Sequence, residues 1–163
     1  MSLQRRGRRS ALRAPLNRPV KFAQGGKEFE GKGIEVGTGG MSLWCTEPLP
    51  AGTMTTVSFT IPGRSIAITA MARVVWSRQP ARGRKFGRMG LQFVALERRD
   101  RQAIHSFVNK LARNYRDLHI MLSTNKWQLE QLRQLASKAR LEGFSDVQEL
   151  KRRVARALEG FRA

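Results

Sequence analysis

Ile66-Ala67-Ile68-Thr69-Ala70-Met71-Ala72-Arg73-Val74-Val75-Trp76 decides the fold class of this chain. Ile66, Ile68, Ala70, Ala72, Val74 and Trp76 recur at a period of two. Successive side chains of extended backbone point to opposite faces, so this spacing predicts a half-buried strand with Trp76 on its core side. The same alternation sets Val57, Phe59 and Ile61 against Thr56, Ser58 and Thr60, and it returns in Leu91, Phe93 and Ala95 after Gly90. Turn signals at Gly25-Gly26, Gly39-Gly40, Pro48 to Gly52, Pro62-Gly63 and Pro80 to Gly83 separate the runs. About six short strands over residues 20–97, with no helical period between them, predict an antiparallel barrel or sandwich.

At residue 98 the pattern changes. Neither glycine nor proline occurs between Gly90 and Gly143, and Ile104, Val108, Leu111, Tyr115, Leu118, Leu122, Asn125, Leu129, Leu132, Ala136 and Ala139 follow alternating steps of four and three. Such a heptad stripe predicts a long coiled-coil-like helix and a homodimer or higher oligomer through residues 104–139, with Asn125 as a buried polar residue fixing register. The other reading breaks the helix at Ser123-Thr124-Asn125, with Asn125 capping a second helix that Gln128 boxes. Gly143 then ends the helix, and Ser145 with Gln148 predicts a capping box for a shorter C-terminal helix carrying Val147, Leu150, Val154, Ala157 and Phe161. The class is mainly β plus α: a six-stranded antiparallel barrel at 20–97 and a helical module at 98–163, behind a basic arm at 1–19.

The charge is the outlier of the composition. The 163 residues hold 31 Lys and Arg against 12 Asp and Glu, a net +19, which favours phosphate-bearing or polyanionic partners. A single cysteine, Cys45, excludes an internal disulfide and reads as a small apolar filler. His105 and His119 lie far apart with no cysteine or carboxylate cluster beside them, which argues against a metal site. No nucleophile, base and orienting group share a plausible pocket, so the chain reads as non-enzymatic, with no cofactor. No run is apolar enough to cross a bilayer and the N-terminus lacks a secretory signal, so a cytoplasmic location is expected, without membrane insertion.

Two motifs remain. Arg8, Arg9 and Arg13 form an arginine cluster with the spacing Arg9-x-x-x-Arg13, and Gly33-Ile34-Glu35-Val36-Gly37-Thr38-Gly39-Gly40-Met41 crowds glycines into a turn between alternating segments. Guanidinium groups suit phosphate oxygens and guanine edges and can stack on a purine. A solvated basic tail would also produce this arginine spacing. Pro15 and Pro19 keep the arm from being helical.

Taken in order, these residues resemble the PilZ domain family. The Arg9–Arg13 cluster leads into Ala14-Pro15-Leu16-Asn17-Arg18-Pro19-Val20, then Gly39-Gly40-Met41, the Pro48 to Thr53 link, Val57 to Pro62, Ala72 to Trp76 and Met89-Gly90-Leu91-Gln92-Phe93. Asp100-Arg101 with Ile104, Phe107 and Val108 opens the helix. The resemblance implies a six-stranded barrel followed by a helix, and a bacterial receptor for cyclic di-GMP whose arginine arm wraps the ligand against the barrel. Arg8, Arg9 and Arg13 would hold phosphates and stack on guanines; Glu35, Gly37 and Gly40 would form the guanine-edge turn. The family pattern is Asp or Asn, x, Ser, x, x, Gly, so Glu35 and Gly37 depart from it. Glu35 keeps two acceptors on a longer stem, and Gly37 lacks a hydroxyl, a loss worth about 0.5–1.5 kcal/mol of binding. Ligand capture would order the arm and alter the surface offered to an effector protein. The rivals are a PilZ-like scaffold that binds no ligand and a nucleic-acid binder using Arg64, Arg73, Arg78, Arg82, Arg84, Lys85 and Arg88.

Overall fold

A computed structural model of the chain describes residues 12–161. Seven strands come first: β1 (Arg13–Pro15), β2 (Pro19–Gln24), β3 (Lys27–Gly37), β4 (Gly40–Cys45), β5 (Met54–Phe59), β6 (Ile68–Arg78) and β7 (Gly87–Ala95). Three helices follow: α1 (Arg98–Thr124), α2 (Leu129–Lys138) and α3 (Val147–Gly160). The strands run in the order β3-β2-β5-β6-β7-β4, all antiparallel, and β4 pairs back onto β3 to close a six-stranded barrel. β1 is a seventh strand outside the barrel, paired to the far end of β3.

β3 has to serve three neighbours. Residues 27–32 pair with β2, 35–37 with β1 and 31–36 with β4, with a bulge between Gly33 and Glu35. Leu16 explains the bulge. Its side chain is fully buried, and a Cβ on Gly33 would lie 2.5 Å from Leu16 Cδ2. Asn17 turns the chain there at a φ of 50°, a left-handed conformation that asparagine tolerates, and Leu16 N and Asn17 N donate to Ile34 O and Gly33 O at 2.9 and 3.1 Å. The corner between β1 and β2 is thus held by one plugged leucine and a short ladder.

Alternation fills the interior as the sequence predicts. Ile68, Ala70, Ala72 and Val74 are buried, with Val20, Phe22, Met41, Leu43, Val57, Phe59, Met89 and Leu91. Each such large side chain contributes about 1.5–3 kcal/mol through removal from water. Cys45 points inward too, and desolvation pushes its thiol up to about 11. The two ends of the opening stretch depart from its pattern. Ile66 precedes β6 and is 66 % exposed, while the ladder shifts register between Val74 and Trp76, which turns Trp76 out of the core.

Two compact units divide the described chain, one spanning Arg13–Val108 and the other beginning at Asn109. The first turns of α1, up to Val108, belong to the barrel unit. There Ile104 and Val108 are buried, Asp100 Oδ1 takes Arg64 Nη2 at 2.8 Å, and Arg101 Nη1 donates to Thr38 O at 2.7 Å.

The helical unit corrects the long continuous helix. α1 stops at Thr124, Asn125 adopts a φ of 53°, and α2 starts after Gln128. Ser123 and Thr124 hydroxyls donate back to His119 O and Met121 O, and Asn125 then leaves the helix in the left-handed conformation that its short side chain tolerates. Gln128 is itself the cap, with Gln131 Oε1 accepting from its backbone N–H at 3.5 Å. The C-terminal cap shifts by one residue: Asp146 Oδ1 accepts from Glu149 N, and Glu149 Oε2 accepts from Ser145 N. Leu111, Tyr115, Leu118, Leu122, Leu132, Ala136 and Ala139 are buried within a single chain, alongside Leu150, Val154 and Phe161. Tyr115 and Phe161 bring their ring centroids to 5.3 Å. From Leu111 to Ala139 the heptad stripe is therefore covered within one chain except at Asn125, which is exposed and not the buried polar residue expected, and at Leu129, 50 % exposed; an oligomer through 104–139 loses most of the open seam from which it was argued.

Candidate functional site

The outer face of the barrel, where β1 meets β3, gathers the motif residues that the structure describes. Glu35 and Gly37 lie two apart on β3 and so share one face; Arg13 is the cross-strand partner of Gly37, and Pro15 that of Glu35. Arg13 Nη1 sits 3.2 Å from Glu35 Oε1, with the two side chains 21 % and 29 % exposed. Gly37 leaves the position beside Arg13 without a side chain. Arg8 and Arg9 lie outside the described residues.

Gly40 has a different task. It opens β4 opposite Gln92, and a Cβ there would collide with the backbone oxygen of Leu91. Its glycine is required by the approach of β4 to β7.

Two contributors to this face were not expected from the sequence. The Trp76 indole lies across Gly90 on the outer surface, where a Cβ on Gly90 would run into the ring. Ser42 is the cross-strand partner of both Glu35 and Gly90. It is only 2 % exposed, and its Oγ has no hydrogen-bond partner. The bulge hid Trp76, because a period-two reading carries its phase straight through an inserted residue. The available signal was Gly90 itself, a glycine inside an alternating strand, which marks a close approach by another group.

Across the barrel surface the order is then Arg13, Glu35, Ser42, Gly90 and Trp76. A guanidinium can hold a phosphate, a carboxylate can accept from paired N–H donors of a base, and an indole can stack on that base.

Residues 7–110 match the PilZ domain family. No curated protein matches the chain. Three solved structures share the fold. The Bacillus subtilis inhibitor of motility MotI/DgrA is 18% identical, with a TM-score of 0.54 over 74% of this chain and 54% of that one. Escherichia coli YcgR in complex with c-di-GMP is 14% identical, with a TM-score of 0.54 over 68% and 48%. The isolated PilZ domain of YcgR with c-di-GMP is 14% identical, with a TM-score of 0.51 over 74% of this chain and 99% of that one. The chain spans about half the length of the first two proteins.

Proposed function

The chain belongs to the PilZ domain family, and from that premise we propose that it is a cytoplasmic, non-enzymatic receptor for cyclic di-GMP that passes ligand occupancy to an effector protein. The observation that carries the reading is the juxtaposition of Arg13 and Glu35 on one barrel face. Arg13 gives the ligand a planar pair of donors for a phosphate. Glu35 offers two acceptors to the N1–H and N2–H₂ of a guanine, and pairing with Arg13 holds that carboxylate in place while the ligand is absent. Arg8 and Arg9 complete the clamp from the arm. Gly37 keeps its backbone beside the ligand but brings no hydroxyl; Ser42, opposite Glu35 and without a partner, supplies one from the neighbouring strand.

β1 pairs with β3, which already holds Arg13 beside Glu35 on the barrel face. Titration calorimetry with cyclic di-GMP tests the reading. The parent should bind at micromolar concentrations, and Arg13→Ala should weaken binding by about 10- to 100-fold, as expected for loss of a charge-assisted bond. Absence of heat in the parent would hand the chain to the ligand-free scaffold reading. Undiminished binding by Arg13→Ala would remove the arm from the site.

A further inference from the structure

Two residues further along β4 and β7 from Ser42 and Gly90, the outer face opens into a groove of about 810 Å³. Lys32, Trp44, Arg88 and Arg78 form one continuous cross-strand rung along it, on β3, β4, β7 and β6 in turn. Phe86 and Lys85 extend the groove beyond the start of β7.

Three features of this groove point to a ligand. Its aromatic faces are on the surface: Trp44 is 40 % and Phe86 51 % exposed, although burial of either ring would be favourable. Each ring carries a cation, with the Arg88 guanidinium 4.5 Å from the Trp44 centroid and Lys85 Nζ 5.6 Å from that of Phe86. Arg88 Nε is buried with no hydrogen-bond partner, a donor left over where the lining holds a single acid, Glu30. Alternating stacking platforms and cations are what a chain of phosphates bearing flat bases requires. A duplex hides its base faces in its own stack. An acidic peptide would satisfy the cations and leave both rings with nothing planar to stack on.

We propose that this groove binds single-stranded nucleic acid, with bases stacked on Trp44 and Phe86 and phosphates tracked by Lys32, Arg78, Lys85 and Arg88. Glycine keeps the platform flat. A Cβ on Gly87 would strike Arg78 O, and one on Gly31 would lie 2.6 Å from Trp44 O, so no side chain can be added beneath the rung without displacing strands. The groove adjoins the proposed cyclic di-GMP face, since the Arg78 guanidinium lies 5.9 Å from the Trp76 ring centroid, but its stacking rings, Trp44 and Phe86, are distinct from the Arg13, Glu35 and Ser42 contacts of that ligand.

Fluorescence anisotropy of a labelled oligothymidylate of about 12 nucleotides, read at about 50 and 200 mM salt on the full chain, tests this. Trp44→Ala and Phe86→Ala should each weaken binding at least about fivefold with the salt slope unchanged, because stacking is uncharged. Trp44→Tyr should restore binding and Trp44→Leu should not, which separates a stacking face from apolar bulk and from any effect on folding. Arg88→Gln should lower the salt slope by about 0.7, the share of one phosphate contact on a single strand. Binding by Trp44→Leu equal to that of Trp44→Tyr would overturn the proposal. So would duplex DNA, heparin or polyglutamate competing as well per charge as the single strand, since the net +19 alone would then account for the affinity.

Discussion

Gly39 and Gly40 are adjacent, yet they have opposite tolerances. A methyl at Gly40 meets the Leu91 carbonyl, a backbone atom that cannot rotate away, whereas nothing lies within 4 Å of one at Gly39. Gly40→Ala should therefore destabilise the barrel by on the order of 2 kcal/mol, as overpacking does. Gly39→Ala should be neutral or stabilise slightly by stiffening the unfolded chain. Urea unfolding midpoints check both, and equal effects would show that the β4–β7 approach does not set the constraint. Arg13 and Glu35 were both singled out in the sequence because each belongs to a motif, and the structure brings the two side chains together. Trp76 and Ser42 were harder to read: the first depends on a bulge whose one trace in the sequence is Gly90 on the paired strand, and the second enters through register with β3 and β7. Ser42 directly follows the glycine motif in the chain, but only the strand register sets it opposite Glu35.

Among the elements, the strands were read from alternation and the helices from a stripe whose periodicity outlasts the helix carrying it. The stripe names the buried face correctly through Leu122 and again from Leu132, but periodicity contains no signal for continuity. Hydroxyls at Ser123 and Thr124, followed by Asn125, contained that signal. The end of α2 is similarly encoded in its hydrogen bonds. Arg140 N donates to Ser137 O and Leu141 N to Ala136 O, closing the helix with Arg140 at a φ of 58°. A left-handed residue favours glycine, and here the nearest glycine in the sequence, Gly143, comes three positions late. Arg140→Gly should raise stability by about 1 kcal/mol, seen as a higher thermal midpoint by circular dichroism. A lower midpoint would mean that the arginine side chain, not the backbone, holds this turn.

At the scale of the whole molecule, composition announced the charge, while the two compact units and the chain's own cover over its heptad stripe had to come from packing. Leu118 decides between that cover and an intermolecular seam. It is fully buried in one chain, so Leu118→Glu should abolish the cooperative melting of the helical unit at every protein concentration. A transition that returns on raising the concentration, together with a dimer mass by light scattering, would restore the seam between chains. β1 has a consequence of another kind. It ends the sheet order, so its outer edge faces no strand among the described residues, and an open edge is where one protein recruits another into a growing fibre. Three residues long, bearing a charge at Arg13 and lacking an N–H at Pro15, it is too short and too poorly equipped to template one. The segment that positions Arg13 is thus also a guard against aggregation, and substitutions at Pro15 would put solubility at risk.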